Sequence, residues 1–327
     1  MRAIICKEYG SPDRLVFGEF PCAPLGPNEI RLRVHAAGVN FPDTLIIQGK
    51  YQLTPPMPFV PGFEVAGKVI EIGQKVVRFK IGDRLMALTS SGYGGFAEEA
   101  VIDSERAVPI PHGMDYVTSA AIYTAYGTAY HALVQRGKLK EGETLLVVGA
   151  SGGVGLAAVE IGKALGGKVI AVASTDEKLQ IAKDHGADAV INYARENLKT
   201  RIKELTNGAG VDVCLDPVGG DAFDVMSRSM NWNGRLLVVG FASGRIPQLP
   251  INLVLLKGYQ LVGVYWGSFV THEPVCNYEN FQHMFEMHAE GKLNPVVCQT
   301  YPLEQAAFAL NDLLGRRVTG KVILTVP

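Results

Sequence analysis

The sequence predicts an α/β protein: a doubly wound parallel sheet joined to a compact, barrel-like β domain that the C-terminal segment completes. Three observations carry this. From Thr144 onward, near-continuous apolar strands alternate with helical runs, the mark of a parallel sheet covered on both faces. The first hundred residues instead show short alternating strands with Gly and Pro corners, which suit a barrel. The stretch after Trp266 is too small to hold a core of its own, so it is expected to return to the first domain.

Taken in order, Ile30–His35, Val65–Ile72 and Arg84–Leu88 each read as a strand. Pro24–Pro27, Leu53–Pro58 and Lys80–Asp83 supply turns between them. Small residues at helical spacing fill Val117–Leu133. Strands then follow at Thr144–Val148, Lys168–Ala173, Ala189–Asn192, Val211–Asp216, Arg235–Gly240 and Leu261–Trp266. Helices fall between them at Leu156–Leu165, Asp176–His185, Leu198–Leu205 and Ala222–Met230. Six strands are what a complete dinucleotide domain requires. Helical patterns near Asn280–Glu290 and Leu303–Leu314, and a last strand from Lys321, close the chain. The expected domains are 1–122 with 267–327, and 123–266.

A length of 327 residues supports two cores. The 31 basic and 32 acidic residues leave a net charge of −1 with no long run of either sign. That argues against a nucleic-acid footprint and an electrostatic membrane anchor. The five cysteines are scattered, with no C-x-x-C pair, as in a reducing compartment. The N-terminus does not read as a signal peptide, and the longest apolar region is broken by glycines, Glu160 and Lys163. A cytoplasmic protein without a membrane span is expected.

The segment Thr144–Gly155 runs strand, glycine turn, helix start, which is the arrangement that cradles a nucleotide diphosphate. Small residues let the backbone approach, and the free N–H groups of the helix start face the phosphates. Gly149-Ala-Ser151-Gly-Gly153 also fits the nucleophile elbow of α/β-hydrolases, with Asp216 and His272, His283 or His288 as partners. An elbow leaves Gly155 unexplained, and the β-rich first half is the wrong prelude to it.

The cofactor choice rests on the end of the second strand. An NAD site usually places a carboxylate there; here the corner is Ala173-Ser174-Thr175, with Lys178 one turn on. Hydroxyls and an ammonium bind a 2′-phosphate, so NADPH is favoured. Ser174 also forms a capping box with Glu177 in this reading.

Gly38-Val-Asn-Phe-Pro-Asp43, Pro61-Gly-Phe-Glu-Val-Ala-Gly67, Gly82-Asp-Arg84, Gly152-Gly-Val-Gly155 and Thr319-Gly-Lys-Val322 resemble the medium-chain dehydrogenase/reductase superfamily over essentially the whole chain. Asn192-Tyr193, Asp216-Pro-Val-Gly-Gly220, Val239-Gly-Phe-Ala242 and Tyr265-Trp-Gly267 are similar to its zinc-independent quinone oxidoreductase branch. The resemblance implies a Rossmann domain and a GroES-like catalytic domain. Asn40 stands where zinc members carry a Cys ligand and Phe63 where they carry a His, so no metal is expected.

Without a metal, the hydride acceptor must be activated by its own conjugation, as in a quinone or enone. The resemblance makes Tyr51 the leading proton donor, with Asn40 and Asp43 positioning the nicotinamide, the substrate or Tyr51. Ser151, Gly152, Gly153 and Val154 would meet the pyrophosphate, and Thr128 the nicotinamide side. Ser174, Lys178 and Tyr193 would flank the adenosine phosphate, Gly240, Phe241, Tyr265 and Trp266 would form the back wall, and Lys321 would reach the phosphates. His35, His112 and His131 read as structural or solvent histidines. The same resemblance implies a homodimer through the strand near Leu261–Trp266. A 2-enoyl thioester reductase is the nearest alternative activity, and a non-catalytic nucleotide-binding protein the alternative of another class.

Overall fold

The structure, a computed structural model, describes residues 1–327. It divides into two compact units. Unit 1 comprises residues 1–124, 273–278 and 295–327; unit 2 comprises 125–272 and 279–294.

Unit 1 opens with an antiparallel ribbon, β1 (Arg2–Ile5) and β2 (Val16–Glu19). The long strand β3 (Glu29–Val39) leads into a short helix α1 (Phe41–Ile46). β4 (Glu64–Ile72), β5 (Arg84–Leu88), β6 (Glu99–Asp103) and β7 (Val108–Pro109) follow. Helix α2 (Tyr116–Tyr130) then carries the chain into unit 2. Its small-residue composition buries it almost all round, as expected for a helix without a polar face. It ends in a π-helical turn at His131–Arg136, where the His131 ring stacks on Phe269 with centroids 3.9 Å apart.

In unit 2 the strands are β8 (Thr144–Val148), β9 (Lys168–Ala173), β10 (Ala189–Asn192), β11 (Val211–Asp216), β12 (Met230–Val238) and β13 (Gln260–Gly263). All pair in parallel, in the order β10-β9-β8-β11-β12-β13. The helices between them are α3 (Gly153–Ala164), α4 (Asp176–Asp184), α5 (Leu198–Leu205), α6 (Gly220–Met226) and α7 (Asn252–Lys257). The order reverses direction between β8 and β11, and ligands of such sheets bind beyond the carboxyl ends of the strands at that point. The glycine turn after β8 therefore lies at the switch point. Leu145, Leu146, Val147, Cys214 and Leu215 are fully buried there, which is why these strands read as unbroken apolar runs.

Helices α8 (Trp266–His272) and α9 (Pro274–Ala289) precede the C-terminal return, which forms β14 (Val297–Pro302), α10 (Ala306–Leu314) and β15 (Lys321–Thr325). The unit 1 sheet runs β14-β15-β3-β4-β5-β7, with β6 also on β3. Register shifts along β3 at Arg31/Leu32 and Val34/Ala36 bend it between its partners.

Several boundaries differ from the sequence reading, among them β12, which spans Met230–Val238 rather than Arg235–Gly240. β13 stops at Gly263 rather than Trp266, because Trp266 turns inward to open α8 and packs its indole on Gly127. The helix expected at Ala222–Met230 spans Gly220–Met226, and Met230 already opens β12. The N-cap of α4 is Thr175, whose Oγ1 accepts the Lys178 N–H at 3.3 Å, and not Ser174. The return to unit 1 is anchored from residue 295, while 279–294 pack with unit 2.

Candidate active site

The cradle in unit 2 is built by glycines, of which Gly149 and Gly155 are held by the backbone itself. Gly149 turns the chain with φ +61° immediately after β8. At Gly155 a Cβ would lie 2.1 Å from the Gly149 carbonyl oxygen, so helix and turn pack backbone on backbone. The N-cap of α3 is Gly152, which has no side chain to satisfy the first-turn N–H groups. Helix α3 thus presents the Gly153, Val154 and Gly155 donors and the positive end of its dipole to whatever binds beyond the turn. These residues fit a pyrophosphate.

Ser151 is buried at the turn. Of the partners nominated for a hydrolase, Asp216, His283 and His288 have contacts elsewhere. Asp216 Oδ1 accepts the Val218 and Gly219 N–H groups, both at 2.8 Å; His288 Nδ1 meets the Leu293 carbonyl at 2.7 Å, and His283 faces the Tyr130 hydroxyl at 3.4 Å.

Of the other expected cofactor residues, Ser174 is half-buried at the end of β9, Lys178 lies one turn into α4, and Tyr193 is exposed just past β10. Gly240 and Phe241 follow β12, where Phe241 lies close to Gly219. Thr128 is buried on α2. Tyr265 is 60 % exposed, whereas Trp266 is buried, its ring committed to Gly127 and edge-on to Phe281.

Unit 1 holds a buried polar cluster. Asn40 caps α1 at the end of β3; Glu64 opens β4, and Lys321 opens β15. Lys321 Nζ donates to Glu64 Oε2 at 2.8 Å and to Asn40 Oδ1 at 2.7 Å. Asn40 Nδ2 in turn donates to Glu64 Oε2 at 2.7 Å and to the Gly38 carbonyl at 3.2 Å. Glu64 Oε1 accepts the Thr124 N–H at 2.6 Å. Gly38 makes room for this carboxylate, since a Cβ there would lie 2.0 Å from Glu64 Oε2. Lys321, expected at the phosphates, is thus spent inside unit 1, where a buried ammonium needs its counter-charge. The Asn40 amide is likewise fully used, so it orders its own surroundings.

Asp43 is fully buried on α1. Its Oδ2 accepts the Asn40 N–H at 2.8 Å. Burial pushes the carboxyl up to about 8, opposed by the Asn40 and Gly62 N–H groups and Lys321 and reinforced by Glu64. Past α1 the Gly49 and Lys50 N–H groups bond back to the Ile46 and Leu45 carbonyls at 3.0 and 2.9 Å. The next residue is Tyr51, half-buried against the unit 1 core. The clamp on Asn40 therefore fixes the start of the short helix from which Tyr51 is hung.

Two charged residues of weight escaped the sequence reading. Neither Glu64, within Pro61–Gly67, nor Glu160, within the apolar run after the glycine turn, has a role assigned by sequence alone. The signal for both is a lone carboxylate in an apolar element, which demands a partner. Glu160 finds the Tyr126 hydroxyl at 2.6 Å, His185 Nδ1 at 2.5 Å and the Asn294 N–H at 3.0 Å, all in unit 2.

Residues 26–112 match the family model for the alcohol dehydrogenase GroES-like domain, and residues 153–289 that for zinc-binding dehydrogenase. A quinone oxidoreductase-like protein 2 homolog from Nematostella vectensis is 40 % identical over 324 residues, covering 99 % of this chain and 88 % of its own. Quinone oxidoreductase from Pseudomonas aeruginosa is 35 % identical, with 97 % of each chain covered. Among solved structures, Escherichia coli quinone oxidoreductase complexed with NADPH superposes with a TM-score of 0.92 at 31 % identity, covering 99 % of this chain and 100 % of that one.

Proposed function

The chain belongs to the medium-chain dehydrogenase/reductase superfamily, in its quinone oxidoreductase-like branch, and on that premise we propose that it is an NADPH-dependent reductase of quinones or other conjugated carbonyls that works without a catalytic metal. Bound NADPH supplies the hydride. The first-turn N–H groups of α3 would hold its pyrophosphate. Ser174, Lys178 and Tyr193 would take the adenosine end and Thr128 the nicotinamide side.

The observation that carries the metal-free reading is the Lys321–Glu64–Asn40 clamp. Glu64 is already neutralised by an ammonium at 2.8 Å, and Asn40 and Phe63 offer neither thiolate nor imidazole. No group of three His, Cys, Asp or Glu side chains converges in the chain, which supports the metal-free reading. The acceptor must then carry its own activation, as conjugated carbonyls do.

Tyr51 is the proton donor in this reading, held by α1. Asp43, protonated near neutral pH, and the Lys321–Glu64 pair together leave no net negative charge at the start of α1. That suits a reaction in which the acceptor gains hydride and negative charge. Asn40 acts as a positioning residue through α1.

The chain is further proposed to form a homodimer through β13. This strand is one of the two open edges of the parallel sheet, and Leu261, Tyr265, Leu255 and Trp232 are exposed around it. No helix is long and apolar enough to cross a membrane, and five free thiols suit the cytoplasm.

A substrate panel at fixed NADPH tests the activity. Quinones and enones should turn over with the highest kcat/KM. Preference for 2-enoyl thioesters would replace the substrate class, and NADPH binding without turnover of any acceptor would leave a nucleotide-binding protein.

A further inference from the structure

The adenosine corner contains a carboxylate in an unfavourable place for a 2′-phosphate. Asp176 is the first residue of α4, two positions beyond Ser174. A negative charge suits a helix start but repels a phosphate dianion. Each of its oxygens has a hydrogen-bond partner. Oδ1 accepts the Asn192 side-chain amide at 2.6 Å, and Oδ2 accepts the Arg195 guanidinium at 2.5 Å. Asn192 is buried and itself fixed, its N–H donating to Glu196 Oε2 at 2.8 Å and its Oδ1 accepting the Ala194 N–H at 3.1 Å. Tyr193, one of the residues expected at the adenosine phosphate, lies between these two partners in the chain.

We propose that Arg195, with Asn192, masks the Asp176 carboxylate and so sets the preference for a 2′-phosphorylated cofactor. Arg195 is a specificity-determining residue that acts through Asp176 and need not touch the ligand. With the pair formed, Asp176 and Arg195 sum to zero, and Glu177 and Lys178 are the other charges on the first turn of α4; removing Arg195 shifts the corner by one negative charge. With Arg195 removed, Asp176 becomes the acid that an NAD site carries near the end of this strand, an acceptor for ribose hydroxyls and a repeller of phosphate. The pair is exposed, so the effect is moderate and screened by salt.

The inference rests on the NADPH reading, and one set of titrations separates the two. Dissociation constants for NADPH, NADH and adenosine 2′,5′-bisphosphate are measured by fluorescence or calorimetry on the intact protein and on Arg195→Ala, Arg195→Lys, Asp176→Asn and the double variant Asp176→Asn/Arg195→Ala. Arg195→Ala should weaken NADPH and the bisphosphate by about three- to tenfold and leave NADH unchanged or tighter. Arg195→Lys should keep most of the affinity, and Asp176→Asn should restore it in the Arg195→Ala background. The deficit should shrink at about 1 M salt, where the Debye length falls to about 3 Å. Equal loss for both dinucleotides, no loss, or no rescue by Asp176→Asn overturns the masking role. Failure of the unaltered protein to prefer NADPH overturns the cofactor reading, and this inference with it.

Discussion

Lys321 Nζ lies 2.8 Å from Glu64 Oε2, both side chains all but excluded from solvent, and the two residues are separated by 257 positions in sequence. The contact joins the first strand after the Pro61-Gly62-Phe63 turn to the last strand of the chain. It also reaches Asn40 and so the start of α1. Stability and the placement of Tyr51 therefore share one buried cluster.

Removing one partner of that pair is expected to cost far more than removing both. Lys321→Met leaves Glu64 buried beside only the Asn40 amide and the Thr124 N–H, and should lower unfolding stability by about 3–5 kcal/mol. Lys321→Met/Glu64→Gln should recover a clear part of the loss. Chemical denaturation of the single and double variants checks this; equal losses would show that the charge pairing is not what matters.

Gly155→Ala should leave unit 1 intact and weaken cofactor binding. The added Cβ would sit 2.1 Å from a backbone carbonyl, so the turn rather than a side chain must move. NADPH affinity should drop by at least about tenfold, the equivalent of 1.4 kcal/mol. Fluorescence titration measures it.

Asp43 gives a pH signature with a definite sign. Its folded pKa, about 8, lies above its unfolded value, so the folded state binds the extra proton. Its contribution is full below the unfolded pKa near 4 and is lost as pH rises toward 8. Asp43→Asn, which keeps the shape without the charge, should therefore gain stability relative to the parent as pH rises through that window. Thermal unfolding of both proteins across pH 4–9 reads the difference; parallel curves would contradict it.

Much of unit 2 was legible because its signals are local. Six apolar strands, the Gly149–Gly155 turn and helices at their proper spacing follow from neighbours in sequence. The boundaries that moved were set by packing: Trp266 could not be read as a helix start without knowing that Gly127 lies beneath its ring. Ser174 and Thr175 are adjacent hydroxyls, and either could cap α4; the geometry chose Thr175. The clamp was invisible for a different reason. Lys321 and Glu64 each look like an isolated charge in an apolar run, and only the pairing of β15 and β4 with β3 brings them together.

Tyr51→Phe should separate chemistry from binding. Loss of a general acid lowers kcat by about a hundredfold, while the dissociation constant for NADPH stays unchanged. A proportional loss in both would make Tyr51 a packing residue of unit 1, where it already touches the core.

The central claim, hydride transfer from NADPH to a self-activated acceptor without a metal, is tested most directly by assaying quinone-dependent NADPH oxidation in chelator-treated protein whose metal content is determined on the same sample. Undiminished turnover by metal-free protein, unchanged when zinc is returned, is the expected result. Turnover that disappears with the metal and reappears with stoichiometric zinc would contradict it.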